Sequence, residues 1–250
     1  MKAYEIKNLI ERKFPPEIAE AWDNVGILLG STQKEVKKVF LTLDLNHKTA
    51  QEAIDLSCDM IVSHHPIIFS PIQRITDETK EGEMLLKLIK ADITVFAAHT
   101  NLDKGDGGLS DKLAEMFSLK NTETVIEGGL GRIGNIEPMT ALEFAKKAKE
   151  ILNTPVRLSG DKEKMISRVA VGSGASDDII PKAKEMGADL VLTGDLKYHR
   201  AMEAVEMGVI VVDAGHYPTE IMCMDIFEEL LDGTDLGIVK SKNTDIFEFI

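Results

Sequence analysis

The sequence predicts an α/β protein built from two related three-layer lobes with mostly parallel sheets. Short apolar runs alternate with amphipathic helical stretches, the rhythm of strand, helix and strand in such a sheet. The pattern also occurs twice. Residues 39–65, "VFLTLDLNHKTAQEAIDLSCDMIVSHH", lie without a gap over 169–195, "VAVGSGASDDIIPKAKEMGADLVLTGD". Val39 meets Val169, Ala53 meets Ala183, Asp59 meets Asp189, and Met60, Ile61 and Val62 meet Leu190, Val191 and Leu192, an offset of 130 throughout. Self-similarity of this kind marks a structural repeat. Finally, polar residues follow the apolar runs, at the strand ends where open α/β sheets gather ligands.

Taken in order, Ile6, Leu9, Ile10 and Phe14 recur at helical spacing, and Pro15 and Pro16 end the helix. A second short helix is expected in "PEIAEAW". "VGILLG" and "VKKVFLTLD" read as strands, "HKTAQEAIDLS" as a helix started by His47, and "CDMIVSHHP" as a short apolar strand. "EGEMLLKLIKAD" is the next helix and "ITVFAAHTNLD" the next strand. The texture then changes: "VIEGGLGRIGNIEPMT" is glycine-rich and turn-prone. The helix "TALEFAKKAKEILN" follows, with Thr140 as cap and Glu143 where a capping box wants an acid. "TPVRLSG" reads as a strand. The expected organisation is a first lobe over 1–124, a small glycine-rich and helical insert over 125–168, and a second lobe over 169–250.

Composition narrows the function classes. The 250 residues carry 29 basic and 42 acidic side chains, a formal charge of −13. That balance favours a soluble protein and disfavours capture of nucleic acid or anionic lipid. Cys58 and Cys223 show no spacing pattern and read as reduced, buried thiols of a cytoplasmic protein. "MKAYEIKNLIERKF" has no apolar core of a signal peptide, and no apolar stretch approaches the ~20 residues that span a bilayer.

The chemistry-bearing residues cluster at strand ends. In "SHHP", His64 and His65 sit directly behind an apolar strand, and Pro66 favours a turn that lets adjacent imidazoles face one point. "HTNLD" and "GHYPTE" each place a histidine just past an apolar run with an acid four residues later, His99 with Asp103 and His216 with Glu220. Imidazoles and carboxylates together match the ligand set of zinc, manganese, iron or cobalt. Two halves facing each other would pool these residues in one cleft. Asp103 is a natural bridging carboxylate for a metal pair, which activates water in hydrolysis. Two glycine-rich loops, "DKGDGGLS" and "VGSGAS", read as tight turns or phosphate cradles. In "TGDLKYH", Asp195, Lys197 and His199 occupy the place of SHHP in the second half, as substrate contacts or a proton-transfer group, or as plain surface residues.

Six motifs in order, "WDNVGILLG", "LTLD", "SHHP", "HTNLD", "TGDLKYH" and "GHYPTE", make the chain resemble the NIF3-like family, also known as the GTP cyclohydrolase I type 2 family. The resemblance covers essentially the whole chain. It implies two related α/β lobes around a dinuclear divalent-metal centre, with zinc, iron, manganese, cobalt and nickel undistinguished, in a toroidal homohexamer. The family's ligands fall on His64, His65, Asp103, His216 and Glu220, their division between the two ions left open. Asp23, Asn24, His99 and His199 sit around the centre, with His99 and His199 as proton-transfer groups and His99 orienting Asp103 or water. The implied function is a metal-dependent hydrolase acting on a small-molecule, nucleotide-like substrate. On GTP, water would add at the purine C8 and formate would leave. The alternative is a ring-shaped metal-binding scaffold or regulatory protein that contacts proteins or nucleic acid.

Overall fold

The computed structural model of the chain describes residues 1–242 and 244–250. In chain order the elements are α1 (Ala3–Lys13), a 3₁₀ turn (Pro16–Ile18), β1 (Gly26–Leu29), β2 (Lys38–Thr42), α2 (His47–Asp55), β3 (Met60–Ser63), α3 (Lys80–Lys90), β4 (Thr94–Ala97) and α4 (Thr100–Lys104). There follow α5 (Leu109–Met116), β5 (Lys120–Thr124), β6 (Arg132–Thr140), α6 (Ala141–Ile151), β7 (Arg157–Ser159), β8 (Met165–Val171), α7 (Ile179–Glu185) and β9 (Leu190–Thr193). The chain ends with α8 (Tyr198–Glu206), β10 (Ile210–Asp213), α9 (His216–Glu220), α10 (Cys223–Leu231) and β11 (Gly237–Lys240).

Local chemistry explains where helices start. Asn46 accepts from the amides of Lys48 and Thr49 ahead of α2, and Thr140 and Glu143 close the expected capping box on α6. The short helix expected in "PEIAEAW" is only the 3₁₀ turn, held by Ile18 N donating to Pro15 O. The segment read as turn-prone contains the nine-residue strand β6, which pairs with both β5 and β8. Gly134 lies in the strand because a side chain there would strike the backbone of Lys120.

Two compact units result. One comprises Met1–Gly105 with Cys223–Thr244, the other Asp106–Met222 with Asp245–Ile250. These bounds cross those drawn from the sequence, for two reasons. β11 returns to pair in parallel with β2, so the end of the chain completes the first sheet. β6, α6 and β7, expected in an insert, belong to the second sheet and its cover.

The first sheet has the order β1-β4-β3-β2-β11, parallel except at β1–β4. Phe40, Ile61 and Val95 pack with Ala50, Ala53, Met84 and Leu88 of α2 and α3. Their strand neighbours point the other way by the pleat. On that side α10 packs on β2 and α1 on α10. The second sheet, β5-β6-β8-β9-β10-β7, is mixed, with parallel pairing only at β8–β9 and β9–β10. Ala170, Val191 and Val211 pack against Ile179, Ile180, Ala183 and Ala204 of α7 and α8. α5 and α6 meet through the rings of Phe117 and Phe144, with centroids 5.3 Å apart. Cys58 and Cys223 are both buried, and burial pushes the Cys58 thiol up. Among the described residues no helix is long and apolar enough to cross a membrane.

The repeat is visible in the ladders. Val39 faces Met60 and Leu41 faces Val62, while Val169 faces Leu190 and Val171 faces Leu192, each pair 130 residues on. Beyond β3 and β9 the offset changes. Met60 faces Thr94 and Leu190 faces Ile210, so Thr94 corresponds to Ile210, an offset of 210 − 94 = 116. α4 and α9 keep it, since Thr100–Lys104 and His216–Glu220 are also 116 apart. His216 therefore corresponds to Thr100, and the pairing of His99 with His216 drawn from the sequence is one residue out of register. Matching by residue type followed the histidine, whereas strand pairing sets the true correspondence.

Candidate metal centre

In the first unit the β3 ladder runs past the strand, with His64 N donating to Thr42 O and His65 N to Leu43 O. Ser63 Oγ then donates to His65 O at 2.9 Å, and the chain bends at His64 and His65. The bend brings the two adjacent imidazoles together, their ring centroids 4.9 Å apart. The end of β4 adds His99, at 5.1 Å from the His64 ring and 5.4 Å from that of His65. One donor atom from each of the three lies within 4.8 Å of the others.

Each ring is held through Nδ1. His64 Nδ1 bonds Ala98 O at 2.9 Å, His65 Nδ1 bonds Asp44 Oδ1 at 2.7 Å, and His99 Nδ1 bonds Asp23 Oδ1 at 2.8 Å. Carbonyl and carboxylate oxygens only accept, so Nδ1 carries a proton in all three and Nε2 is the nitrogen left for a ligand. An imidazole backed by an oxygen on the far nitrogen is the arrangement that metal-ligating histidines adopt. The chemistry of this donor set fits a divalent metal.

Carboxylates complete the first unit's share. Asp103, the fourth residue of α4 and 7 % exposed, places Oδ2 3.8 Å from His64 Nε2. The Asp23 side chain is fully covered and accepts from Thr100 N at 3.0 Å as well as from His99. Burial pushes its carboxyl up, but the hydrogen bonds from His99 and Thr100 and the charge of His99 prevail, holding it well below the usual carboxylate range. Asp23 is thus a permanent anion beneath His99.

In the second unit the same strand-end geography holds one imidazole. His216 opens α9; its Nδ1 bonds Asp195 Oδ2 at 2.9 Å and its Nε2 lies 2.9 Å from Glu220 Oε2. Glu220 is 4 % exposed and lies against Gly174, which has φ +50° and where a Cβ would come 2.9 Å from Glu220 Cδ. Gly174 belongs to the "VGSGAS" loop, read as a possible phosphate cradle. Three of its amides are engaged inside the protein: Gly172 N donates to Leu192 O, Gly174 N to Thr219 Oγ1 at 3.0 Å, and Ser176 N to Thr193 Oγ1 at 3.1 Å. The loop makes room for a carboxylate of the chain itself. In "DKGDGGLS", Gly105 N donates to Asn101 O and Gly107 N to the Asp111 carboxylate, again within the protein.

Of the residues singled out from sequence, His64, His65, His99 and Asp103 are assembled in the first unit, and His216 and Glu220 pair in the second. His199 lies exposed on α8 with its ring near Tyr198, and it joins no donor group among the described residues. His47 starts α2 and bonds Lys80 O through Nε2. Asp44 was missed as a functional residue, although it closes the quoted "LTLD" motif. Asp195, read as a substrate contact, a proton-transfer group or a plain surface residue, is exposed and backs His216. Asn24 ties its loop to the next by donating to Ile68 O at 2.6 Å.

Two α/β units thus carry, at their strand ends, oxygen-backed histidines and carboxylates in groupings that could hold a metal ion. The chain belongs to the Duf34/NIF3 (NGG1p interacting factor 3) family, whose model matches residues 1–245. It is 35% identical over 262 residues to the GTP cyclohydrolase 1 type 2 homolog of Clostridium perfringens (strain 13 / Type A), covering 100% of both chains. Reduced HcgD from Methanocaldococcus jannaschii superposes with a TM-score of 0.88 at 35% identity, covering 97% of this chain and 98% of that one. A Bacillus cereus protein related to NIF3 superposes with a TM-score of 0.93 at 26% identity, covering 100% and 99%.

Proposed function

We propose that the protein is a metal-dependent hydrolase of a nucleotide-like substrate, with His64, His65 and Asp103 of the first unit and His216 and Glu220 of the second as metal ligands. The observation that carries the reading is the set of histidines each clamped through Nδ1, which aligns imidazole lone pairs before any ligand arrives. Divalent ions there would supply Lewis acidity toward a carbon or phosphorus electrophile and a nucleophile at neutral pH. The substrate class follows the relatives, which carry the name GTP cyclohydrolase 1 type 2 homolog.

The remaining work falls to the chain. Asp44 and Asp195 hold His65 and His216 in one tautomer, and the Ala98 carbonyl does the same for His64. Asp23, ionised beneath His99, holds the Nδ1 side of that ring, so His99 would accept a proton at Nε2 and return it to a leaving group.

Metal content of protein purified without chelator tests the reading. About two ions per chain are expected for a dinuclear hydrolytic centre. His65→Ala and Glu220→Ala should each lose at least one ion while keeping the fold. Such a result justifies screening GTP, other nucleotides and phosphodiesters. Undiminished metal in both variants would overturn the ligand assignment, and a wild-type protein without metal would favour the scaffold reading.

A further inference from the structure

Beside the three-imidazole cluster the first unit leaves two large rings in water. Trp22 is 59% and Phe69 54% exposed, and their centroids lie 5.8 Å apart at an interplanar angle of 51°. Both meet His99 near edge-on, at 6.1 Å and 69° for Trp22 and at 6.4 Å and 75° for Phe69. Single exposed apolar residues need no explanation, but a paired aromatic corner contiguous with a candidate site does.

The corner is held rather than loose. Trp22 precedes Asp23, which is locked by Thr100 and His99, and Glu20 N donates to Thr100 Oγ1 at 2.9 Å. Phe69 follows Ile68, whose carbonyl accepts from Asn24 Nδ2. The hydrogen bonds that position His99 and join the two loops therefore also position both rings. A preformed tilted pair suits a flat ring, face-on to one wall and edge-on to the other. Base stacking on aromatic side chains is the common use of such a surface, because every base presents a π-face.

We propose that Trp22 and Phe69 form a subsite that stacks the purine base of the substrate, with the rest of the molecule directed to the imidazole cluster. This rests on the nucleotide-hydrolase reading and adds to it which residues take the base. A single bound base also agrees with the acidic chain, since a charge of −13 opposes a polyanionic strand.

Trp22 is the sole tryptophan, so its fluorescence reports the subsite directly. The full chain, stripped of metal with chelator, is titrated with guanosine and separately with ribose 5-phosphate, with emission excited at the red edge of the tryptophan band. Saturable quenching by guanosine and none by ribose 5-phosphate is expected. Phe69→Ala should weaken guanosine binding about tenfold, and Phe69→Tyr should restore it. Equal quenching by both probes, no quenching, or no change in Phe69→Ala overturns the proposal. So does a Trp22 that acrylamide cannot reach, since another copy of the chain would then cover it. Because no metal is present, the outcome is independent of metal content. Stacking without metal sinks only the hydrolase, and metal without stacking sinks only this subsite.

Discussion

The strand ends of the two units, set side by side through their ladders, show one scaffold supporting the same bond by different routes. In the first unit the histidine follows β3 and its carboxylate follows β2, as His65 and Asp44. In the second, the carboxylate follows β9 and the histidine follows β10, as Asp195 and His216. The position 130 residues after His65 is Asp195, and that after Asp44 is Gly174. Each unit thus keeps an oxygen-backed imidazole, but the position that carries the histidine in the first unit carries the carboxylate in the second. What the repeat preserves is the meeting of strand ends, where any two loops can supply an acid and an imidazole. Which loop supplies which is free to differ.

The sharpest break between the units is expected at His64 and its counterpart Gly194. The His64 side chain is fully buried, with its Nδ1 on Ala98 O. At Gly194 a Cβ would meet the carbonyl of Gly215, lying 2.6 Å from its carbon and 2.9 Å from His216 N. All three are backbone atoms and cannot rotate away. Gly194→Ala is expected to cost about 3 kcal/mol through overpacking, read as a lower urea midpoint at unchanged slope. His64→Ala deletes atoms and adds none, so it should cost less. Equal losses at both positions would mean that Gly194 is not pinned by the approach of the Gly215 chain.

Smaller effects are expected at the backing acids. On the proposed metal reading, Asp44→Ala and Asp195→Ala should each lower metal affinity about 10–100-fold, measured by competition with a chelating dye. Imidazole nitrogen NMR on metal-free protein tests the two pairings themselves. Asp44→Ala should alter the tautomer signals of His65 and leave those of His216, and Asp195→Ala the reverse. Both signals moving in either variant would show that the two pairs do not act separately.

Much of this comparison was legible in the sequence, and what was not has a physical cause. The offset of 130 survives in the ladders because β2, α2 and β3 form one local unit whose apolar pattern is set by its own burial. Histidines at strand ends were visible because imidazoles after apolar runs have no packing purpose. By contrast β11 lies nearly 200 residues from its partner β2, and "GIVK" carries no local sign of it. β5, exposed along its whole length, has no apolar alternation to read. Asp44, a half-exposed residue after a strand, became meaningful only when β3 laid His65 beside it. The one-residue slip between His99 and His216 shows the limit of residue matching, since only the pairing of β4 and β10 reveals it.

The smallest expected effect separates the crossover helices α3 and α8. In α8, Arg200 reaches out of its helix to Asp177 and Asp178 as well as binding Glu203. Hydrogen bonds from Glu203 and Asp177 raise its guanidinium above the ordinary value. In α3 the pairing stays within the helix: Glu83 meets Lys87 at 2.9 Å and Lys80 at 3.1 Å. Hydrogen bonds from Lys87 and then Lys80 lower its carboxyl from 4.5 to about 2. A carboxyl lowered by folding contributes stability that is present above its unfolded value and lost as pH falls through the folded one. The difference in melting temperature between wild type and Glu83→Gln should therefore be constant at neutral pH. It should narrow below 4.5 and vanish near 2. Because the pair is exposed, added salt should shrink it at every pH. Arg200→Met should instead show a larger loss at neutral pH, because its partners fix two elements to each other. That loss too should shrink with salt, since the side chain is partly exposed. If both variants lose the same at neutral pH, the contrast between a helix-local and a tertiary ion pair fails.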